Sequence, residues 1–234
     1  MIKDKIYKLK KAKNSNMLPS DLSGSLDDSL LEDTFVFIDA GFLSKLSRYF
    51  GKGKYLVYDI IKFSEIISRK QNLKCDKIFY YTSPPYQSNN PSTEEKSRKD
   101  KYDKFMKKLS EKGNFILREG RCQKIVELGG KPKFTQKGVD TLMTIDLMSV
   151  PIKFPNIKKI ILLACDSDFV PAIKELREFG LKIILYTYFT KRRDTNFSRS
   201  THLMNVVSRY VKLTGEDFSN AKLEENKMDE QKLK

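Results

Sequence analysis

The sequence predicts an α/β domain with a mostly parallel central sheet and helices on both faces. Apolar runs of strand length alternate along the chain with segments whose apolar residues have helical spacing. Residues 160–165 are an unbroken apolar or small run, typical of a strand that is buried on both faces. Residues 170–179 then have helical spacing and stop before Gly180, a favoured helix end. Repeated strand–helix units of this kind require parallel strands.

The first half of the predicted domain contains two strands and three helices. Each strand is a short apolar or aromatic run, and each helix repeats apolar residues every three or four positions. Pro84 and Pro85 break the chain after the second strand. In order, the elements are strand 34–39, a helix through Leu43, Leu46 and Phe50, helix 59–69, strand 76–82 and helix 93–112.

The second half adds three strands, a hairpin and three helices. Residues 121–134 alternate around Gly129 and Gly130, which predicts a projecting hairpin. The helix that opens at Val139 carries apolar residues on most of its faces and is expected to be buried. The other elements are strand 114–118, strand 160–165, helix 170–179, strand 182–188 and a helix through Leu203 and Val206 capped by Ser198 or Ser200; residues 207–213 end the domain.

Charge divides the 234-residue chain into three segments. Residues 1–33 have no net charge and no sustained period, which predicts a flexible N-terminal arm. Residues 216–234 carry a net charge of −2 and are interpreted as a charged C-terminal tail. The domain, residues 34–215, therefore carries a net charge of +17, which the −2 of the tail reduces to the total of +15. A domain this basic favours a polyanionic partner, above all a nucleic acid.

The cysteine and histidine counts exclude two classes of protein. Three widely spaced cysteines and a single histidine cannot form a disulfide framework or a zinc site. We therefore expect a reducing, cytoplasmic setting. No apolar stretch approaches the length of a membrane span and the first residues form no secretory signal, so no membrane association is expected.

Aspartates follow the predicted strands where a ligand site is expected. Asp39 ends the first strand, Asp166 and Asp168 follow strand 160–165, and Asp140 sits at a helix start. The carboxyl ends of parallel strands meet at one edge of a sheet, where ligands bind. Carboxylate oxygens are ligands that suit Mg²⁺ or Mn²⁺. An alternative is that Asp166 or Asp168 only caps the next helix.

Three short motifs are specific enough to compare with known families. They are Phe-Ile-Asp-Ala-Gly at 37–41, Lys-Gly-Val-Asp at 137–140 with Asp146 six residues on, and Cys-Asp-Ser-Asp-Phe at 165–169. In these motifs the chain resembles the NYN domain family, the LabA-like or DUF88 branch of the PIN-like nuclease superfamily. Weaker matches are Tyr-Tyr-Thr at 80–82, Gly180 and Ser-Thr-His-Leu at 200–203, and together the matches cover residues 34–213 in the family's order.

The resemblance implies a three-layer PIN-like, Rossmann-like fold and a metal-dependent endoribonuclease or RNA-processing protein. Its catalytic and metal-binding cluster would be Asp39, Asp140, Asp166 and Asp168. Asp146 is an additional candidate, either as a ligand or as the partner of a core lysine. Thr141 and Ser167 are candidates for hydrogen bonds to a ligand or a carboxylate, and the alternative for both is a simple helix-capping role.

Single-stranded RNA is the expected partner. Lys137 and Arg98 are expected to reach phosphates near the metal, and Arg192, Arg193 and Arg199 to follow the strand further out. Unpaired bases can stack on tyrosine rings, for which Tyr81, Tyr86 and Tyr102 are candidates. The sequence leaves two further partners as alternatives: a second copy of the chain in an oligomer, and a protein bound through the tails.

Two departures from the family pattern keep alternatives open. The family often has Asn where this chain has Phe42, and usually has an aspartate near the last helix where this chain has Ser208. These departures favour a second interpretation, an RNA-binding adaptor with weak or no catalysis. A phosphatase that forms an aspartyl-phosphate is disfavoured, because it requires an aspartate where this chain has Gly41.

Overall fold

Six parallel strands form one sheet, and two further strands form a separate antiparallel hairpin. The spatial order of the sheet is β3-β2-β1-β6-β7-β8, and the hairpin pairs β4 with β5. All five pairings in the sheet are parallel. The strands are β1 (Glu32–Asp39), β2 (Leu73–Thr82), β3 (Phe115–Glu119), β4 (Arg121–Ile125), β5 (Lys133–Lys137), β6 (Lys159–Leu163), β7 (Lys182–Thr187) and β8 (Arg209–Lys212).

This computed structural model describes residues 30–126, 130, 132–190, 197 and 200–223. The chain divides into two units, residues 1–31 and residues 32–234, and every strand and helix of the described part lies in the second. The helices are α1 (Ala40–Phe50), α2 (Ile60–Arg69), α3 (Thr93–Ser110), α4 (Val139–Lys153), α5 (Val170–Glu178), α6 (Thr201–Val206) and α7 (Gly215–Ser219).

The helices cover both faces of the sheet, which confirms the predicted three-layer α/β architecture. Helices α1, α2, α3 and α7 contribute to one apolar cluster, and α4, α5 and α6 to the other. Strand β1 separates the two clusters, because its side chains alternate between them. Phe35 and Phe37 face one cluster, Val36 and Ile38 face the other, and all four are at most 1% exposed. Burial of each such side chain stabilises the fold by roughly 1.5–3 kcal/mol.

The hairpin is held closely against the start of α4. A Cβ added at Gly120 would lie 2.5 Å from the carbonyl oxygen of Lys137 and 2.8 Å from Cγ2 of Val139. Gly138, which precedes α4, has a φ of +80°. The hairpin predicted over residues 121–134 is therefore present, and its second strand continues to Lys137. The two strands of the hairpin follow β3 in the chain and lead directly into the first turn of α4.

The chain beyond Gly215 differs from the expected charged tail. Residues 215–219 form α7, and Phe218 and Ala221 are buried. The ring of Phe218 lies 5.0–5.9 Å from the rings of Phe50, Tyr58 and Phe63. The packed part of the protein therefore continues at least to Ala221.

Helix α4 is less buried than its sequence predicted. Its residues Met143 and Leu147 are fully buried, but Ile145 is 55% exposed and Ile152 is 79% exposed. The prediction of burial on most faces was wrong because α4 lies on the outer layer of the fold, where only one face can contact the sheet.

Among the described residues, no helix combines the length and the apolar character that crossing a membrane requires.

Candidate acidic site at the carboxyl edge of the sheet

The strand order reverses between β1 and β6. From β1 the chain proceeds to β2 on one side, and from β6 it proceeds to β7 on the other. In open parallel sheets, ligands bind at such a reversal, outside the carboxyl ends of the two strands. Asp39 is the last residue of β1, and Asp166 follows the end of β6, whose Leu163 pairs with Ile38.

Asp39 is fixed at the junction of β1 and α1. Its Oδ1 accepts a hydrogen bond of 3.1 Å from the backbone N–H of Phe42, so that the carboxylate caps the helix. Burial raises the pKa of Asp39 above its ordinary value, and the negative charge of Asp140 raises it further. The backbone N–H groups of Phe42 and Gly41 and the ammonium group of Lys45 act in the opposite direction. Asp39 is therefore partly removed from water, and nearby N–H groups and one lysine offset part of the cost of its negative charge.

The charge of Asp140 interacts with the charges of the other three predicted aspartates. It lies in the first turn of α4, at the base of the hairpin. Its pKa is raised by the loss of hydration that surrounding protein imposes and then by the charges of Asp166 and Asp168, although its side chain still reaches solvent. Because it also acts on Asp39, Asp140 is within electrostatic range of the other three. The structure thus brings the four predicted aspartates to one region.

Asp166 caps the short 3-10 helix of residues 167–169 that leads into α5. Its Oδ1 accepts a hydrogen bond of 2.9 Å from the backbone N–H of Asp168. Both side chains are exposed, as is Ser167 between them. The capping role that the sequence left open is therefore present for Asp166, and it occupies one of the two carboxylate oxygens.

The aspartates are near one another without forming a compact ligand set. In the part of the chain that the structure describes, no three side chains of His, Cys, Asp or Glu are grouped closely enough to hold a metal ion. The donor chemistry, carboxylate oxygen only, nevertheless fits Mg²⁺ or Mn²⁺. Asp140 is within electrostatic range of the other three carboxylates, but the four, as they stand, do not share a single ion position.

Both carboxylate oxygens of Asp146 are engaged by neighbouring side chains. Its two carboxylate oxygens accept hydrogen bonds of 2.6 and 2.9 Å from the guanidinium group of Arg118 on β3. The hydroxyl of Tyr81 donates a third bond of 2.9 Å. Burial, followed by the charge of Asp146, raises the pKa of Tyr81. The ion pair considered for Asp146 exists, with an arginine as its partner and not a lysine.

Two residues near Asp39 were missed by the sequence interpretation. Oδ1 of Asp39 and Oε1 of Gln136 lie 3.1 and 3.3 Å from the position where a Cβ on Gly41 would stand. Gln136 comes from β5, so only the folded hairpin reveals it. Lys45, by contrast, had a signal in the sequence, because it lies one helical turn beyond Gly41 on α1.

The predicted RNA-binding residues are only partly within the described chain. Arg98 on α3 and Lys137 at the end of β5 are exposed, as is Thr141 beside Asp140. Arg192, Arg193 and Arg199 lie outside the described residues, and so does Ser198, the alternative cap of α6. Ser200 caps α6, since its Oγ accepts the N–H of Leu203 at 3.3 Å.

The three tyrosines have different environments. Tyr81 has no exposed surface and stacks on Phe37, so the prediction that it binds bases was wrong. Its position on an interior strand next to β1 explains the burial. Tyr86 packs against Phe134 with ring centroids 5.4 Å apart, and Tyr102 donates a 2.6 Å hydrogen bond to Glu119.

The two departures from the family pattern lie in different places. Phe42 is 2% exposed and packs in the apolar cluster, while its backbone N–H binds Asp39. Ser208 lies at the amino end of β7, where its Oγ accepts the N–H of Ile183 at 3.2 Å and its own N–H donates to the carbonyl of Ile183. Ser208 is therefore at the opposite edge of the sheet, and the acidic site does not depend on it.

Comparison with known proteins supports the assignment of the fold. An uncharacterized protein of Methanocaldococcus jannaschii is 30% identical over 139 residues, which cover 56% of this chain and 53% of that relative. The chain thus spans about half the length of this curated relative. A protein of unknown function from Vibrio parahaemolyticus superposes with a TM-score of 0.51 at 17% identity, covering 82% of this chain and 99% of the other. That likeness shows the fold alone.

The family comparison covers most of the chain. The NYN domain matches residues 33–214, which include all six strands of the sheet except the first residue of β1, together with the hairpin and the four aspartates. The resemblance that the motifs indicated is therefore confirmed, and the chain belongs to the NYN domain family of PIN-like nucleases.

Proposed function

We propose that this protein is a divalent-metal-dependent endoribonuclease, or a protein that processes RNA by the same chemistry. The observation that carries the proposal is the position of Asp140, within electrostatic range of Asp39, Asp166 and Asp168 at the reversal of the strand order. Like charges held together in a partly dehydrated region destabilise one another unless a cation joins them.

Mg²⁺ or Mn²⁺ is the cofactor of this proposal, with Asp39 and Asp166 as direct ligands. When bound, such an ion favours deprotonation of the attacking water and neutralises charge on the scissile phosphate. In Asp39 and Asp166, one carboxylate oxygen accepts a capping hydrogen bond from a backbone N–H, and this bond fixes the direction of each carboxylate. Asp140 and Asp168 serve as further ligands or orient the water that attacks. To hold one ion together, these side chains would have to move closer to one another than they stand.

The basic surface supports RNA as the substrate. Lys137 ends the strand that leads into α4, three residues before Asp140, and Arg98 is exposed on α3. In this proposal both contact phosphates, and Thr141 and Ser167 hydrogen-bond the carboxylates or the substrate. A reducing cytoplasm is the proposed location, and single-stranded RNA is the proposed form of the substrate.

A second candidate function is an RNA-binding adaptor that retains the fold without cleaving RNA. The observation that favours it is the open arrangement of the aspartates, since no three of the described acidic, histidine or cysteine side chains are grouped around one ion position. The adaptor would bind RNA through the same basic surface, and a divalent ion would leave the RNA intact.

The substitution Asp166→Asn tests the nuclease against the adaptor. Asparagine preserves the size and the helix cap but removes one negative charge. For a nuclease we expect Mn²⁺-dependent cleavage of single-stranded RNA to collapse, whereas metal-free RNA affinity persists or increases. The matched control is Asp76→Asn, which removes an aspartate near the amino end of β2 and should cleave normally. Cleavage by Asp166→Asn at the rate of the unmodified protein would exclude Asp166 as a ligand.

A further inference from the structure

Two adjoining cavities open between α1, α2 and α3. Their volumes are about 320 and 660 Å³, within the range of ligand pockets of roughly 300–1,000 Å³. They share four wall residues, so they form one continuous depression, which we call the α1–α3 groove. The shared residues are Tyr58, Ile60, Phe105 and Leu223.

The walls of the α1–α3 groove expose large apolar and aromatic side chains. Tyr55 is 63% exposed, Val57 75% and Phe105 51%. These residues come from the segment that joins α1 to α2 and from α3, and they contact solvent around the same depression. Single exposed apolar residues are ordinary, but several around one groove indicate a place where a ligand covers them.

Lysines surround the larger cavity. Lys108 and Lys112 on or just beyond α3 and Lys222 after α7 line it, against two acidic residues, Asp59 and Glu65. Asp59 caps α2 through hydrogen bonds of 2.8 and 3.1 Å, so its carboxylate is directed at the helix end. The charge of the groove therefore favours an anionic ligand that also presents flat apolar surface.

The groove reaches the strand that adjoins the acidic site. Tyr80 and Ser44 line its smaller cavity. Tyr80 pairs with Ile38, the residue immediately before Asp39, and Ser44 is in the first turns of α1, which Asp39 caps. After burial, the charge of Asp39 is the second cause that raises the pKa of Tyr80. The smaller cavity is therefore lined by residues next to the strand and the helix that hold Asp39.

We propose that the α1–α3 groove binds unpaired bases of single-stranded RNA, with Tyr55 and Phe105 as stacking surfaces and Lys108 and Lys112 as phosphate contacts. Every base offers an aromatic face, so such a groove accepts RNA without strict sequence preference. The choice of RNA rests on the proposed function, and the position of Tyr80 and Ser44, next to the strand and the helix that hold Asp39, favours RNA over an acidic protein segment. The groove would hold the part of the strand that adjoins the cleaved bond.

The chain contains no tryptophan, which allows a single reporter to be introduced. In Phe105→Trp the indole would lie in the α1–α3 groove, and we expect a short oligouridylate in EDTA to quench its fluorescence to saturation. The matched control is Ile152→Trp, at a 79% exposed position on the other face of the sheet, whose fluorescence should not change. Both sites are exposed, so both variants should fold.

Affinity provides a second, independent measurement. We expect Phe105→Ala to raise the Kd for the oligouridylate by about 5- to 100-fold, the usual effect of losing one base-stacking surface. Phe179→Ala, at a 58% exposed position in the other helical layer, should leave the Kd within about twofold, the effect of an ordinary surface substitution. RNA binding that leaves the Phe105→Trp signal and the Phe105→Ala affinity unchanged would overturn the proposal.

The two proposals fail in different ways. Saturable quenching in EDTA without any cleavage in Mn²⁺ would support the groove and reject the nuclease. Cleavage in Mn²⁺ with an unresponsive Trp reporter would support the nuclease and reject the groove. Quenching by an acidic peptide with apolar side chains, but not by oligouridylate, would assign the groove to a protein partner and overturn the proposal.

Discussion

Replacement of Asp146 by alanine distinguishes a structural carboxylate from a metal ligand. The variant removes the acceptor of the Tyr81 hydroxyl, which has no exposed surface, and breaks the pair with Arg118. An unpaired buried hydroxyl costs about 1–3 kcal/mol. The arginine side chain is 37% exposed, so solvent screening limits the pair to about 1 kcal/mol. We therefore expect Asp146→Ala to lower the free energy of unfolding by about 3 kcal/mol.

Urea unfolding followed by circular dichroism measures this loss as a shift of the midpoint at constant slope. Adding Tyr81→Phe to Asp146→Ala should recover about 1 kcal/mol, because no hydroxyl is then left without an acceptor. The control Asp103→Ala breaks an exposed pair with Lys99 and should cost no more than about 0.5 kcal/mol. If Asp146→Ala keeps its stability but loses cleavage, Asp146 acts at the metal and the structural role is wrong.

Three further predictions concern packing and charge. Phe42→Asn should lower the free energy of unfolding by about 3–5 kcal/mol, since it replaces a buried ring with an amide; an unchanged urea midpoint would contradict the packing described for it. Gly120→Ala should lower the free energy of unfolding by about 1–3 kcal/mol and speed proteolysis of the hairpin, because the new Cβ would clash with the carbonyl oxygen of Lys137. The control Gly113→Ala should leave the stability unchanged, because a Cβ there has no atom within 4 Å. The logarithm of metal-free affinity for single-stranded RNA should fall with the logarithm of salt, by about 0.7 per phosphate contact. A flat salt response would remove the electrostatic basis for RNA binding.

The central strands of the sheet were predictable because they are buried on both faces and carry strong local patterns. Residues 160–163 of β6 and residues 35–38 of β1 are apolar without interruption, and only a central position explains that. Helix α7 was not predictable in the same way. It is five residues long, and the contacts of Phe218 with aromatic residues distant in sequence stabilise it, together with a 2.6 Å ion pair between Lys70 and Asp217. Local patterns do not contain such contacts.

In the candidate site, too, the residues that follow strands directly could be predicted, and those that depend on distant contacts could not. Asp39 and Asp166 could be placed because each follows a strand directly, and parallel strands share one edge. The six-residue spacing from Asp140 showed that Asp146 lies off its helical face, but not that Arg118 would be its partner. Gln136 could not be foreseen at all, since its approach to Asp39 depends on how the hairpin folds back onto the edge of the sheet.

The strand order also determines when each surface is covered during synthesis. One half of the sheet, β3-β2-β1, and the helices on one of its faces, α1, α2 and α3, are all contained in residues 32–119. The opposite face, with Phe35, Phe37 and Phe79, is covered only when α4 and the strands from β6 onward have left the ribosome. At about 5–20 residues per second, a nascent chain exposes this aromatic face for several seconds. Chaperone binding to the nascent chain is therefore expected to concentrate on this interval, before residues 139–163 have emerged.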